Sequence, residues 1–65
     1  MKNPATEILA ANKGTIVLAT TLQNHGNTII IDHGWGIMTI YNHLSKLLVK
    51  EGQRVERGKK IAERI

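Results

Sequence analysis

Three histidines are the side chains of this chain best suited to moving a proton or binding a metal, and they are His25, His33 and His43. An imidazole with a pKa of about 6.5 exchanges a proton close to neutral pH, and its neutral form is a common metal ligand. No cysteine is present to supply a thiolate ligand. The three histidines fall on separate predicted loops and strand ends, so their spacing does not predict a shared zinc site. His25 and His33 are interpreted as surface or hydrogen-bonding residues.

The elements that must position these histidines are predicted to be β-strands. Nine isoleucines stand beside one tryptophan, one tyrosine and no phenylalanine, and β-branched residues favour strands. Apolar residues make up 42% of the chain and charged residues 22%, which is ordinary for a globular protein and argues against intrinsic disorder. Four runs have the composition of strands, namely 6–10, 15–21, 28–32 and 37–41.

Turn-forming segments separate these runs and predict reversals of the chain. Residues 12–14, Asn-Lys-Gly, are a turn signal of the kind that joins antiparallel strands, 23–27 is a loop, and 33–36 is a tight reversal. An antiparallel meander is the simplest topology for this order of elements. The continuous apolar run within 28–32 is typical of a strand that is covered on both faces.

The last third of the chain has a different spacing. Residues 44–46 predict a single turn followed by a short strand, and an amphipathic helix of about two turns over 44–50 is the alternative. Beyond it, apolar residues and glycines alternate every three residues, at Val49, Gly52, Val55, Gly58 and Ile61. Neither the helical period of about 3.6 nor the strand period of about 2 produces this series. It predicts two tight turns with glycines at the bends and three apolar side chains in one core.

Charge and hydropathy exclude several classes of partner. The formal net charge is +4, but the basic residues of the C-terminal part are interrupted by Glu51, Glu56 and Glu63, and no aromatic side chains lie among them to stack on bases. A solvated surface is therefore expected, not nucleic-acid binding. No apolar run approaches the ~18 residues of a membrane span. The start lacks a secretory signal, so the chain as written is expected in the cytoplasm unless it was cut from a longer precursor.

Four segments, taken in order, form a pattern known from one protein family. They are Gly-Thr-Ile-Val at 14–17, Gly-Asn-Thr-Ile-Ile-Ile-Asp-His-Gly at 26–34, Thr-Ile-Tyr-Asn-His-Leu-Ser at 39–45, and the valine and glycine series from 49 to 58. This pattern resembles the core of the lysostaphin-like, or LytM-type, zinc metallopeptidases, which cut peptide cross-links of bacterial cell walls. The resemblance extends from Ala10 to Ile61, and the Tyr-x-His-Leu-Ser segment is its most selective part.

The resemblance implies a fold as well as a family. It implies an all-β fold, a small antiparallel β-sandwich or barrel-like sheet of the duplicated hybrid motif type, truncated at both ends. Residues 1–65 are then a single partial domain, in which 1–5 form a flexible start. A chain of this length on its own buries only about 60% of the surface that its unfolded form exposes, so its stability is expected to be marginal.

The family's chemistry needs three zinc ligands, which come from an H-x-x-x-D motif before the matched segments and the second histidine of an H-x-H motif after them. Such ligands leave an open position, where a bound water becomes acidic enough to attack an amide carbonyl. Four residues beyond the three histidines stand Ile29, Ile37 and Leu47, and two residues beyond them stand Asn27, Trp35 and Ser45. Neither motif is present, so no metal ligand and no cofactor are expected in this chain.

His43 matches the family's catalytic histidine that does not bind the metal. The resemblance gives it the role of orienting or deprotonating the zinc-bound water, or of stabilising the developing oxyanion. By itself, a lone histidine after a strand is more often a surface residue. His43 is therefore the one candidate catalytic residue, at a position whose activity needs ligands that the chain lacks.

Three functions follow from these observations. The first is a fragment or degenerate member of a peptidoglycan zinc metalloendopeptidase, inactive alone and directed at peptidoglycan peptides. The second is a non-catalytic binding or structural module on the same scaffold. The third is a lipoyl- or biotinyl-like carrier, which shares the valine and glycine series but needs a Met-Lys-Met or Asp-Lys-Ala tip that is not present.

Missing outer strands also predict how the chain behaves with other molecules. Unpaired strand edges rich in Ile and Thr recruit partners, so a homodimer or higher assembly is expected. Trp35, flanked by glycines at a hairpin tip, is expected to be exposed, and Asp32 to cap backbone amides there. If the chain was cut from a family precursor, an extracellular or periplasmic location is expected.

Overall fold

The computed structural model describes residues 5–65 and consists of short and medium β-strands joined by turns. The strands are β1 Thr6–Leu9, β2 Gly14–Leu22, β3 Gly26–Gly34, β4 Ile37–Leu44, β5 Lys46–Leu47, β6 Arg54–Val55 and β7 Lys60–Arg64. The all-β prediction is confirmed, and each of the four predicted runs lies on a strand, except that Ala10 falls just beyond the end of β1. Over this range there is no helix long and apolar enough to cross a membrane. The predicted flexible start lies, apart from Ala5, outside the described residues.

Two antiparallel sheets make up the fold. The larger sheet has the strand order β4-β3-β2-β6, and the smaller one has the order β1-β7-β5. The predicted meander is correct for β2, β3 and β4, which pair in sequence order. It is wrong for β1, which pairs with β7 and not with β2.

The chain crosses between the sheets at Ala10, and this explains why β1 was misplaced. The backbone of Ala10 is held in both directions, because its N–H donates to the Lys59 carbonyl at 2.8 Å and its carbonyl accepts from the Gly58 N–H at 2.9 Å. A turn signal at 12–14 indicates that the chain reverses, but it carries no information about which distant strand becomes the partner.

The core lies between the two sheets and consists of branched aliphatic side chains. Ile16, Ile29, Ile31 and Ile61 have no exposed surface, and they cluster with other buried apolar residues of the strands and connections, namely Ala10, Leu44, Val49, Val55 and Ala62. The prediction that residues 28–32 are covered on both faces is wrong in part. Ile30 is only half-buried, because nothing within residues 5–65 packs fully over the outer face of the larger sheet.

The three-residue series in the last third folds as predicted. Two turns are closed by hydrogen bonds from Gln53 N–H to the Lys50 carbonyl and from Lys59 N–H to the Glu56 carbonyl, each at 3.1 Å. Gly52 and Gly58 have φ of +91° and +84°, which only glycine adopts without strain. The apolar residues of the series are buried: the exposed fraction is 6% for Val49, 2% for Val55 and zero for Ile61.

The junction before that series differs from the prediction in detail. Leu44 ends β4 and Lys46 begins β5, so a bend at Ser45 replaces the predicted turn over 44–46, and the short strand follows it directly. The helical alternative is wrong. The Ser45 N–H and hydroxyl both donate to the Glu63 carbonyl at 2.8 Å. Because these bonds attach Ser45 to β7, its N–H is not available for a helical hydrogen bond.

Gly14 is a position where the close approach of two strands requires glycine. A Cβ there would lie 2.5 Å from the Asp32 carbonyl oxygen and 2.7 Å from Ile31 Cγ2. We expect Gly14→Ala to lower the free energy of unfolding by about 1–3 kcal/mol, because β2 must separate from β3 to admit the methyl group. Urea denaturation of the purified chain measures this loss. Glu51→Ala, in an exposed turn, is the control and should change stability by less than about 0.5 kcal/mol; equal effects of the two substitutions would contradict the packing described here.

Candidate functional site around His43

His43 lies at an irregularity near the end of β4. The register pairs Asn27 with Leu44 and Ile29 with Tyr41, so Thr28 on β3 faces both Asn42 and His43. This is a β-bulge, which bends a strand and changes the direction of its side chains. His43 has a φ of +58° and is exposed. A non-glycine residue in the left-handed region is held there by its surroundings, and such residues are common at functional sites.

The turn between β2 and β3 holds the backbone of His43. The His43 N–H donates to the His25 carbonyl at 2.9 Å. Gly26, with φ of +70°, lies against it, since a Cβ at this glycine would lie 3.4 Å from the His43 Cα. The backbones of His25 and His43 are therefore hydrogen-bonded at one end of the larger sheet, a proximity that their spacing in the sequence does not predict.

A buried hydroxyl fixes the residue before His43. Thr28 is 1% exposed, and its Oγ1 lies 3.1 Å from Asn42 Oδ1 and 3.2 Å from the Gly26 carbonyl oxygen, so its single proton is donated to one or the other. From the smaller sheet, Arg64 Nη2 donates to the Asn42 carbonyl at 2.7 Å. The bulge is thus held from both sheets. The sequence pattern does not indicate Thr28, Asn42 or Arg64 as site residues; a threonine directly before a run of three isoleucines is the available signal for the first.

Tyr41 joins the same segment to the first crossover. Its side chain is half-buried against the core, and its hydroxyl oxygen accepts a hydrogen bond from the Ala11 N–H at 2.9 Å. The three residues before Leu44 therefore have distinct surroundings: Tyr41 and Asn42 are anchored through side chain or backbone, and the imidazole of His43 extends to solvent. An exposed imidazole on an anchored backbone is able to accept or donate a proton.

His33 lies at the opposite end of the larger sheet and has a structural role. Its Nδ1 lies 2.8 Å from the Lys13 carbonyl, which can only accept, so this nitrogen carries the proton. Its Nε2 then accepts from the Thr39 hydroxyl. Asp32 Oδ1 accepts from the Gly34 N–H at 2.8 Å, as predicted for a capping aspartate. Trp35 is 99% exposed, and this prediction is also confirmed.

The ion pairs of the described residues lie on the smaller sheet. Glu7 and Glu63 face each other across β1 and β7, and Lys60 Nζ lies 2.9 Å from the Glu63 carboxylate and 4.0 Å from that of Glu7. The hydrogen bond to Glu63 raises the pKa of Lys60, and the same bond lowers the pKa of Glu63. These groups are solvated and fasten β1 to β7; they are not part of the His43 site.

Comparison with known proteins agrees with this geometry. The family model described as Peptidase family M23 matches residues 1–64. The chain belongs to peptidase family M23. A crystal structure from Pseudomonas aeruginosa, described as a peptidase M23, superposes with a TM-score of 0.87 at 39% identity, covering 94% of this chain and 27% of that one. The resemblance to LytM-type metallopeptidases and the fold it implied are thereby confirmed.

Some relatives of this M23 chain are named as endopeptidases, and others as lipoproteins or hydrolase activators. It is 43% identical over 56 residues to the peptidoglycan DD-endopeptidase ShyA of Vibrio cholerae, and this match covers 86% of this chain and 13% of ShyA. It is 44% identical over 57 residues to the NlpD/LppB homologue lipoprotein of Pseudomonas aeruginosa, covering 86% and 19%. It is 37% identical over 57 residues to the murein hydrolase activator EnvC of Escherichia coli, covering 88% and 14%. The chain thus spans less than a fifth of the length of these relatives.

M23 peptidases are generally zinc-dependent, but the residues described here do not fit a zinc ion. From Ala5 to Ile65 there is no group of three or more histidine, cysteine, aspartate or glutamate side chains close enough to hold a metal. Both ring nitrogens of His33 have hydrogen-bond partners, at the Lys13 carbonyl before β2 and the Thr39 hydroxyl on β4. A catalytic zinc site requires three protein ligands with an open position, so the described residues would not hold the ion by themselves.

Thr28→Val tests whether the buried hydroxyl positions the His43 bulge. The substitution keeps the shape of the side chain but removes the hydrogen bond that the hydroxyl donates to the Gly26 carbonyl or to Asn42 Oδ1, so we expect a loss of about 1–3 kcal/mol. Amide hydrogen exchange at His43 should become faster, because the bulge loses one of its anchors.

Thr20→Val provides the matched control. Thr20 lies directly opposite Thr28 on β2 but is exposed, so the same chemical change there should alter stability by less than about 0.5 kcal/mol. If both variants were equally stable and protection at His43 stayed constant, the Thr28 hydroxyl would have no positioning role.

Proposed function

We propose that this chain is the central β-scaffold of a peptidoglycan-directed M23 domain and that it does not cleave peptide bonds by itself. The proposal rests on the metal ligands that are lacking. Neither H-x-x-x-D nor H-x-H occurs in the sequence, and residues 5–65 contain no metal-binding cluster. Without a metal there is neither a Lewis acid nor an activated water to attack the amide. Residues 1–65 are on this proposal one partial or degenerate domain.

His43 keeps its position on this proposal without having a reaction to catalyse alone. The bulge opposite Thr28 and the hydrogen bond to the His25 carbonyl hold its backbone, and its imidazole is exposed at the surface of the sheet. In an assembled M23 site, with ligands supplied from outside residues 1–65, this imidazole would act on the water or on the developing oxyanion. Zinc is then a property of the assembled site and not of this chain.

A non-catalytic binding module is the second candidate. It is favoured by the names of relatives, since EnvC and the Escherichia coli NlpD, which is 41% identical over 56 residues, are both called murein hydrolase activators. On this alternative the scaffold contacts peptidoglycan or another cell-wall protein. Both candidates place the chain outside the cytoplasm as part of a longer precursor, and relatives named for peptidoglycan or as lipoproteins support that location.

The first experiment measures zinc content, hydrolysis and binding on the same purified chain. Dialysis against zinc followed by elemental analysis should give far less than one metal per chain, and digestion of purified sacculi should release no peptide fragments. Co-sedimentation should nevertheless recover the chain with sacculi. Stoichiometric zinc together with cleavage by this chain alone would overturn the proposal, and so would a failure to sediment with sacculi.

The two candidates differ in what the surrounding reading frame encodes. An H-x-x-x-D motif upstream and an H-x-H motif downstream would identify the chain as the centre of an active enzyme. Their absence from the whole protein would identify a binding module. In the first case, His43→Gly in the whole protein should reduce kcat by at least about a hundredfold, in line with the loss of an acid–base group, whereas sacculus binding should be unaffected.

We further propose that the chain self-associates through β4. This strand is at the edge of the larger sheet, so one row of its backbone N–H and carbonyl groups has no strand partner within residues 5–65. Ile37, Met38 and Ile40 are each more than half exposed, and no charged residue occurs from Gly34 to Asn42. An uncharged, apolar edge strand lacks the usual protection against pairing with a second copy.

Ile40→Lys is expected to prevent this association. Two copies paired antiparallel along β4 would bring their lysines together, and edge lysines are a common means of blocking strand pairing. Sedimentation velocity should show a dimer or larger species for the parent chain and a monomer for the variant. Leu48→Lys, at an exposed residue away from β4, should leave the association unchanged. A parent chain that remains monomeric at high concentration would refute self-association.

A further inference from the structure

The hairpin between β3 and β4 presents a tryptophan in an unusual way. Trp35 is 99% exposed, and its φ is +57°, between Gly34 at +87° and Gly36 at +73°. A bulky residue in the left-handed region is strained, and a third glycine would relieve the strain at this position. Strain that persists in a fully solvated side chain does not serve packing, which makes it an indication of function.

The base of this hairpin is held rigidly. His33 bridges the Lys13 carbonyl on one side and the Thr39 hydroxyl on the other, and the Asp32 carboxylate accepts from the Gly34 N–H. These bonds tie β3 to β4 and to the segment before β2. The indole is therefore presented from a fixed base, so a ligand that contacts it does not have to order the hairpin first.

A hollow beside the indole contains polar groups with unused hydrogen-bonding capacity. Its volume is about 490 Å³, and Asn12, Lys13, Trp35 and Ile37 are among the residues that line it. Asn12 Oδ1 accepts from the Lys13 N–H at 2.9 Å, which leaves the amide nitrogen of Asn12 to donate into the hollow. The ammonium of Lys13 forms no ion pair within residues 5–65. Ligand sites of roughly 300–1,000 Å³ combine such an apolar wall with a few polar groups.

A second hollow continues from the first. Its volume is about 230 Å³, it shares Lys13, His33 and Gly34 with the larger hollow, and it extends to Thr15 and Arg54. Arg54 donates to the Thr15 hydroxyl and forms no ion pair in the described part of the chain. The two hollows together suit a ligand longer than one ring, with an apolar face at one end and oxygen acceptors along its length.

We propose that this surface binds a saccharide, with the face of the Trp35 indole against a pyranose ring and Asn12 and Lys13 donating to its hydroxyl or acetamido oxygens. A pyranose has an apolar C–H face and a rim of polar oxygens, and an exposed indole beside fixed donors matches both. The inference rests on the proposed function, since it assigns this site to the glycan strand of peptidoglycan. The His43 site, at the other end of the larger sheet, is left to the peptide part.

The experiment uses the single tryptophan as its own reporter. Titration of the chain with chitotetraose and with peptide-free glycan strands from sacculi should give a saturable change in tryptophan fluorescence, and NMR shifts should concentrate at Asn12, Lys13 and Trp35. Trp35→Gly suits the positive φ and should fold. By NMR it should bind glycan at least about tenfold more weakly, because it loses the stacking surface.

Two further variants separate stacking from general disturbance of the fold. Trp35→Phe keeps an aromatic face and should retain most of the affinity, and Leu48→Ala, at an exposed apolar residue elsewhere, should bind like the parent chain. An unchanged affinity in Trp35→Gly would overturn the assignment of the site.

Failure of this inference and failure of the proposed function give different results. If the chain sediments with intact sacculi but peptide-free glycan leaves the tryptophan signal unchanged, the saccharide site is refuted and the proposed function stands. If the signal responds only to stem peptides or to a protein, the saccharide is likewise refuted. If glycan binds but the chain alone cleaves sacculi, the saccharide site stands and the proposed function is refuted.

Discussion

The burial of branched aliphatic side chains between two small sheets is the interaction on which the rest of this structure depends. Ile16, Ile29 and Ile31 from the larger sheet and Ile61 from the smaller one are inaccessible to water, and full burial of such a side chain is worth about 1.5–3 kcal/mol. In a chain of 65 residues with no disulfide, no other interaction is available on that scale. Because this core joins sequence-distant strands, β1 must pair with β7 and the chain must cross at Ala10.

The same requirement accounts for the local irregularities at the two candidate sites. A larger sheet that curls over so small a core cannot remain regular, and its register shifts occur at Val17 on β2, beside Thr28 on β3 and near the hairpin tip. At the shift beside Thr28, His43 adopts a left-handed backbone conformation, and next to the shift near the hairpin tip, Trp35 does so as well. The two positions lie at opposite ends of the larger sheet, so the peptide and saccharide contacts proposed above would fall on two separate surfaces.

Membership of the M23 family settles the scaffold, and the residues from Ala5 to Ile65 add no metal-binding cluster to it. The relatives named as endopeptidases and those named as hydrolase activators match this same scaffold segment. The β-core, which is stabilised by isoleucine packing, is therefore matched by relatives with either kind of name. This also explains how the His43 geometry persists where the described residues provide no zinc ligands: the Thr28 hydroxyl, the His25 carbonyl and Arg64 hold it.

The sequence by itself determined the family, the strand composition, the two glycine turns of the last third and the exposure of Trp35. These depend on local chemistry, since positive φ at Gly52 and Gly58 and alternating burial are properties of a few neighbouring residues. Only the tertiary structure decided the partner of β1, the half-exposed outer face at Ile30 and the meeting of His25 with His43. Each of these is a non-local pairing, selected by which strands can close one core together, and no short segment carries that information.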